Sequence, residues 1–208
     1  MKITSTFGAA LMLGSGLALA GCTTTTSTDA SVDTPAASAS ASADASASAT
    51  PATPATSTAV EFARADMTDS FNRPMGTVVF YRYGNDISVR AGLSGQPGNY
   101  ALHIHTTGKC DAPDFTTAGG HWNPTNKQHG AENPAGAHLG DLPNITFDAA
   151  GTGTLEYRIT GGDPAVLMDT DGAAIMLHEK ADDMSTDPSG NAGKRIGCGV
   201  ITASASAS

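Results

Sequence analysis

All six histidines of this 208-residue chain lie between residues 103 and 178, with a spacing typical of metal ligands. Neutral imidazole binds zinc, copper, iron and nickel, so the clustering indicates metal chemistry. His103 and His105 form a His-x-His pair in the run 99–105, which otherwise has the pattern of a β-strand. Because residues i and i+2 of a strand point to one face, the two imidazoles should project together. Taken alone, such a pair is more often two polar residues on a solvated strand face.

A segment rich in Gly, Pro and Asn follows, and it carries His121, His129 and His138. Its composition predicts a loop, and loops held by a rigid scaffold often carry functional sites. Asp141 comes three residues after His138, and three imidazoles with one carboxylate suit tetrahedral zinc. A solvated loop with histidines by chance explains the histidines equally well, but it gives no reason for Asp141.

His178 stands where the apolar run 173–177 ends and charged residues begin. On its own, such a residue is more often a hydrogen-bonded histidine at a strand end than a ligand. The six histidines and Asp141 supply seven ligand groups, whereas two four-coordinate metals need about eight positions. One imidazole that uses both ring nitrogens would complete both sites, so the count allows a bridge without identifying it.

Several segments match one known family in its order: residues 103–105, 108–110, 118–124, 129–130, 138–141, 178–183 and 190–200. On these motifs the chain resembles the copper/zinc superoxide dismutases of the bacterial cell envelope, over most of residues 58–203. The resemblance implies that superoxide is the substrate. It implies conversion to dioxygen and hydrogen peroxide by alternate reduction and oxidation of a copper ion, which a histidine bridges to a structural zinc.

The resemblance also assigns the cofactor ligands. Copper ligands would be His103, His105, His121 and His178. Zinc ligands would be His121, His129, His138 and Asp141. His121 would then be the bridging, catalytic imidazole, and Asp182 would link His103 to His129, since carboxylates behind metal-bound imidazoles fix their tautomer and orientation. Arg195 would be the second catalytic residue and guide the anion, because guanidinium is always charged.

The three cysteines divide into one plus two. Cys22 follows Leu19-Ala-Gly after an apolar run, which predicts a lipoprotein signal peptide over residues 1–21 and acylation of the Cys22 thiol. Residues 22–57 are nearly all Ser, Thr, Ala and Pro, the composition of a flexible tether. Cys110 and Cys198 match the family's intrasubunit disulfide, which suits an oxidising compartment. We therefore expect an exported, periplasmic lipoprotein of the cell envelope, anchored to the outer membrane.

The rest, residues 58–203, is predicted to be one domain, with a disordered tail at 204–208. Eight short apolar runs separated by turn residues predict an all-β, eight-stranded antiparallel Greek-key β-sandwich or flattened barrel, immunoglobulin-like, with long loops that form the site. The runs are Val60–Phe62, Gly76–Arg82, Asp86–Arg90, Ala101–His105, Asn144–Phe147, Gly153–Ile159, Ala173–Leu177 and Ile196–Ile201. No helix longer than a turn or two is expected.

A net charge of −9 argues against nucleic acid as a partner. The expected partners are superoxide and, through the lipid, a membrane, and a homodimer is left open. Asn144 begins a glycosylation sequon that we expect to be unused. Two alternatives to the enzyme remain: an envelope lipoprotein that binds copper and zinc without turnover, and a surface interaction protein with a decayed site. The second should have lost a ligand, and none is missing.

Overall fold

The computed structural model describes residues 58–205. The predicted signal peptide, Cys22, the tether up to residue 57 and residues 206–208 lie outside this range. The strands are β1 Val60–Asp69, β2 Pro74–Tyr83, β3 Asp86–Ser94, β4 Gly98–Tyr100, β5 Leu102–His105, β6 Ile145–Phe147, β7 Thr152–Ile159, β8 Ala173–His178 and β9 Arg195–Ala203. The helical elements are a 3-10 turn, Thr116–Ala118, and α1, Pro164–Leu167.

The strands form one antiparallel sheet in the order β4-β6-β7-β3-β2-β1-β9-β8-β5. Its two outermost strands, β4 and β5, are neighbours along the chain with only Ala101 between them. This places the two ends of the sheet side by side, so the sheet curls into a nearly closed barrel. The expected all-β antiparallel class with almost no helix is confirmed.

The prediction of eight strands is corrected to nine. The run 99–105 was expected to be one strand, but it is divided at Ala101 between β4 and β5. β4 pairs with β6, whereas β5 pairs with β8. Ala101 makes the change of partner, because its N–H donates to Lys180 O (2.8 Å) and its carbonyl accepts from His178 N–H (3.0 Å). Such a change depends on distant strands, so local alternation could not reveal it.

Apolar side chains at every second position of the strands fill the interior of the barrel. In β3, Ile87, Val89, Ala91 and Leu93 are buried in the core, while the intervening positions Arg90 and Gly92 are exposed. The same period places Leu102 and Ile104 of β5 inside the barrel, because successive side chains of a strand point to opposite faces. His103 and His105 consequently project from the outer face of the barrel, where loops 106–144 and 179–194 cover them.

A smaller apolar cluster packs outside the barrel against β8 and β9. Its members are Phe115, Ala118, Ala174, Met176 and Cys198, with Cys110 packed against them. Cys110 and Cys198 form a disulfide, with 5.7 Å between their Cα atoms. This second cluster fixes the 3-10 turn onto the sheet.

The ordered chain continues slightly past the boundary set at residue 203. Ser204 is buried, its N–H donates to Phe62 O (2.9 Å), and its hydroxyl donates to Glu61 Oε1 (2.6 Å). These bonds tie the chain beyond β9 to the first strand. Within the described range, no helix is both long enough and apolar enough to cross a membrane.

Candidate metal centre

Four histidines converge on the outer face of the barrel, with one ring nitrogen of each within 4.8 Å of the others: His103, His105, His121 and His178. We call this set the four-histidine group. Two members lie on β5 and one ends β8, and these two strands pair antiparallel. Only His121 comes from a loop, and an isolated bridge holds its backbone against His105. The sheet therefore positions most of the group.

In each ring of this group, one nitrogen has a protein partner and the other keeps a free lone pair. Nδ1–H of His105 donates to Gly119 O (2.9 Å), and Nδ1–H of His178 donates to Gly193 O (3.3 Å). The Nε2 atoms of His105, His121 and His178 are buried and have no hydrogen-bond partner among the residues described. A hydrogen bond on one nitrogen fixes the tautomer and leaves the other nitrogen as a ligand.

A second set, the histidine–aspartate group, contains His121, His129, His138 and Asp141. Asp141 Oδ1 lies 2.9 Å from His121 Nδ1, 3.0 Å from His129 Nδ1 and 3.1 Å from His138 Nδ1. The two nitrogens of His138 and His121 are 3.4 Å apart. Ligand atoms of tetrahedral zinc lie about 3.3 Å apart, because zinc–ligand bonds are ~2.0–2.1 Å. These separations therefore match a tetrahedral ion.

His121 belongs to both groups through different nitrogens. Its Nδ1 faces Asp141, and its Nε2 faces the four-histidine group without a hydrogen-bond partner in residues 58–205. The second oxygen of Asp141 is held in place by the backbone N–H groups of Gly130 (2.9 Å) and His138 (3.0 Å). The arrangement is that of one imidazole bridging two ions.

Asp182 joins the two groups from behind. Its carboxylate lies 2.8 Å from His103 Nε2 and 3.0 Å from His129 Nε2. Nδ1 of His103 therefore has no hydrogen-bond partner among the described residues. Of these residues, Nδ1 of His129 faces only Asp141. A Cβ on Gly190 would overlap the Asp182 carboxylate, and its φ of 61° also favours glycine. Asp182 is therefore enclosed as well as paired.

Arg195 begins β9 and points toward the four-histidine group. Its guanidinium donates to Phe115 O (2.7 Å) and Gly119 O (2.6 Å), the carbonyls that flank the 3-10 turn. Gly119 O also accepts from His105, so one carbonyl positions both a histidine of the group and the arginine. Because Phe115 packs in the cluster around Cys198, the disulfide region supports the arginine.

A cavity of about 420 Å³ opens onto this site, and we call it the arginine cavity. Its wall includes His105, His121, His138, His178 and Arg195. Burial lowers the pKa of Arg195 below its ordinary value, but arginine stays charged in proteins. A small anion can therefore meet a fixed positive charge beside three members of the four-histidine group.

Burial keeps these imidazoles neutral. Removal from water lowers the pKa of His105 to about 2, of His178 to about 3 and of His121 to about 4, and neighbouring rings add to the effect at His105 and His178. At His121 the hydrogen bond with Asp141 opposes the shift. Neutral rings offer lone pairs, which metal binding requires.

His129 behaves in the opposite way. Burial pushes its pKa down, but hydrogen bonds with Asp141 and Asp182 outweigh burial and raise the pKa to about 9. Burial likewise raises the pKa of both carboxyls, yet their histidine partners hold the pKa of each well below its usual range. Both carboxylates are ionised at neutral pH, which suits ligands and partners of cations.

The structure brings together the predicted site residues that it describes, including Asp182 and Arg195. Sequence reasoning missed the role of Asn144, which it noticed only as a sequon. The Asn144 side chain accepts from Asp182 N–H (2.8 Å) and donates to Asp182 O (2.9 Å), so it positions the segment behind both groups. It also missed the carbonyls of Phe115 and Gly119. Backbone acceptors carry no signal in residue type, so only the fold could reveal them.

Fold and site together define an all-β metalloprotein with a two-metal centre. The family model for copper/zinc superoxide dismutase (SODC) matches residues 75–201. Superoxide dismutase (Cu-Zn) 1 of Aquifex aeolicus is 38% identical over 144 residues, which cover 66% of this chain and 85% of that protein. The chain belongs to the copper/zinc superoxide dismutase family.

Solved structures agree with this assignment. A double mutant of a SOD-like protein from Bacillus subtilis superposes with a TM-score of 0.62 at 34% identity, covering 66% of this chain and 95% of that one. The Cu/Zn superoxide dismutase from Brucella abortus gives a TM-score of 0.55 at 25% identity, covering 67% of this chain and 98% of that one.

Proposed function

We propose that this protein is a superoxide dismutase that uses copper and zinc to convert superoxide to dioxygen and hydrogen peroxide. Membership of the family makes it an oxidoreductase with these two cofactors. One observation carries the assignment of residues. Buried ring nitrogens with no protein hydrogen bond, on His103, His105, His121 and His178, converge on one point, and the opposite nitrogens of His103, His105 and His178 are each held by an acceptor.

The two sets of ligand atoms suit different metals. The four-histidine group supplies only imidazole nitrogens beside an open cavity, which suits copper with room for a substrate. The histidine–aspartate group supplies three nitrogens and a carboxylate at tetrahedral separations, which suits a closed, structural zinc site. Copper would thus be held by His103, His105, His121 and His178, and zinc by His121, His129, His138 and Asp141.

Copper, when bound, supplies the one-electron chemistry, in which one superoxide is oxidised to dioxygen and the next is reduced to hydrogen peroxide. The chain supplies charge and protons. Arg195 holds the incoming anion in the arginine cavity by its fixed guanidinium. His121 takes up one proton at Nε2 and returns it to the reduced product, whose second proton comes from solvent, while Nδ1 stays directed at Asp141. Asp182 keeps His103 and His129 in fixed tautomers throughout.

The alternative is metal binding without turnover. It needs the same ligands, but it gives no reason for a half-buried arginine on a cavity that reaches the bridging imidazole. Superoxide decay is measured on the mature domain loaded with copper alone, zinc alone and both metals. We expect Arg195→Ala to lower the rate about 10- to 100-fold, within the roughly 10- to 1,000-fold by which local charge raises association rates.

The neighbouring cation provides the matched control for this test. Lys194→Ala removes an exposed charge next to Arg195 without touching the two carbonyls, and Arg195→Lys retains the charge. Metal content is measured by mass spectrometry in every variant. Full loading with both metals but no superoxide decay in the parent protein would establish the binding-only alternative instead.

We also propose that the mature chain begins at Cys22, is acylated there, and sits at the outer membrane as an exported lipoprotein on a tether. The Leu-Ala-Gly-Cys motif and the composition of residues 22–57 support this, and a disulfide fits an oxidising compartment. Detergent phase partition of the wild type against Cys22→Ser tests the anchor. A water-soluble wild type would disprove it. The homodimer stays a prediction for sedimentation equilibrium to test.

A further inference from the structure

A second cavity borders the metal centre at the histidine–aspartate group. It has a volume of about 230 Å³ and lies between β7 and the loop that carries His138, and we call it the β7 cavity. Its wall consists of Ala131, Ala137, His138, Leu139, Asp141 and residues 157–160. Two members of the histidine–aspartate group, His138 and Asp141, line this cavity, and no member of the four-histidine group does. The arginine cavity differs, because its wall holds three of the four copper-type ligands together with His138.

His138 stands between these two cavities. Its side chain is 7% exposed, against 4% for His121, 1% for Asp141 and 0% for His129, so it is the least enclosed member of its group. An ion that came from the arginine cavity would meet the copper-type ligands His105, His121 and His178 as well as His138. An ion that came from the β7 cavity would meet His138 and Asp141 directly.

We propose that zinc enters and leaves its site through the β7 cavity, separately from the route that copper and superoxide take through the arginine cavity. The inference rests on the proposed assignment of the histidine–aspartate group to zinc. It gives the protein two entrances, one for the structural ion and one for the catalytic ion and its substrate. Exchange of zinc can then take place while copper remains bound.

Asn133 stabilises the turn in the loop that walls the β7 cavity. Asn133 donates its N–H to Gly130 O (3.2 Å) and its side-chain amide to His129 O (3.1 Å), and its Oδ1 accepts from Ala135 N–H (2.9 Å). Ala131 and Ala137, on the two sides of this turn, both line the cavity with small side chains. A larger side chain at the exposed position 131 should narrow the entrance without disturbing the turn.

The test compares zinc exchange with zinc affinity in protein loaded with both metals. The bound zinc is exchanged against excess radioactive zinc in solution. For Ala131→Tyr we expect exchange about tenfold slower, equal to ~1.4 kcal/mol of added activation free energy. Affinity should be unchanged, because a barrier on the path slows entry and exit equally. Tyr157→Ala, which removes a side chain from the wall, should speed exchange.

Ser189→Tyr is the matched control, since Ser189 lines the arginine cavity. It should leave zinc exchange unchanged and slow copper uptake, which is followed by quenching of Trp122, the single tryptophan and the neighbour of His121. Slower zinc exchange in Ser189→Tyr, or no change in either cavity variant, would overturn the proposal. Failure of the group to bind stoichiometric zinc at equilibrium would instead disprove the zinc assignment.

Discussion

The two metal-binding groups are built by different parts of the fold. Three of the four members of the four-histidine group lie on β5 and β8, whose hydrogen bonds fix the backbone before any ion arrives. The four members of the histidine–aspartate group all come from the loop 119–141, which contains no regular strand or helix among its described residues. One group is therefore a feature of the sheet, and the other is a feature of a loop.

The loop is fixed to the sheet mainly at its two ends. Trp122 N–H donates to Ile104 O (2.7 Å), and Ile104 N–H donates to Gly140 O (2.9 Å), so both ends lie along β5. Between them, the backbone N–H groups of Gly130 and His138 depend on the Asp141 carboxylate. We therefore infer that zinc completes the loop, whereas copper binds to a site that the sheet has largely prepared.

Removal of zinc should therefore cause the largest difference between the two groups, which is a difference in local stability. We expect amide hydrogen exchange about 100-fold faster at Gly130 and His138, because a ligand at 100 times its Kd contributes ~2.7 kcal/mol of stability. Exchange at Ile104 and in β8 should change little. Asp141→Asn, which keeps the shape but loses the charge, should reproduce the effect. Equal acceleration in β5 and β8 would show that the sheet does not prepare the copper site.

The second largest effect is expected from the loss of Asp182, which links the two groups. Asp182→Asn removes the charge that faces His103 and His129, and such outer carboxylates are worth about 10–100-fold in metal affinity. Because His103 belongs to the four-histidine group and His129 to the histidine–aspartate group, affinity for both ions should fall. Competition with chelators measures this loss. Asp183→Asn is the control, since Asp183 is exposed and binds only its own loop. A loss confined to one metal would contradict the linking role.

The same division decides what the sequence reveals. Alternation predicted β3 and β7 because a half-buried strand leaves a period of two in residue type, whereas the fully buried β8 was predicted from a continuous apolar run. His103 and His105 were found because their spacing places them on one face of a strand. The break at Ala101 and the carbonyls of Phe115 and Gly119 left no such trace, since backbone groups look alike in every residue. The contact of Asn144 with Asp182 left no trace either, because the two residues lie far apart along the chain, and the sequence showed only a sequon that is expected to be unused.

Asn144 gives a smaller, purely structural test of the link. Asn144→Ala removes two hydrogen bonds to the Asp182 backbone, each worth roughly 1 kcal/mol net. We expect urea unfolding of the metal-free domain to show a loss of ~1–3 kcal/mol in the free energy of unfolding. Asn144→Asp, which keeps the acceptor for Asp182 N–H, should lose less. Stability unchanged in Asn144→Ala would mean that His103, His129 and the Met184 N–H, which donates to Asp182 Oδ1 (2.7 Å), position Asp182 without Asn144.

The smallest effect concerns protons, and its sign differs between the groups. His105 and His178 have folded pKa values of about 2 and about 3, below the unfolded value near 6.5. Their burial as neutral rings costs stability as pH falls below that value, because the unfolded state then binds more protons. His129, with a pKa of about 9, contributes stability that is fully present below 6.5 and lost as pH rises through 9.

Calorimetric titration in buffers of different ionisation enthalpy reads this contrast directly. At pH 7, copper added to the metal-free domain should release few protons, since His105, His121 and His178 are already neutral and His121 keeps its Nδ1 proton while zinc is absent. Zinc binding should release about one proton, because a metal ligand must be deprotonated and His129 is charged before the ion binds. Equal proton release for the two metals would mean that Asp141 and Asp182 do not hold His129 charged, and the electrostatic difference between sheet and loop would disappear.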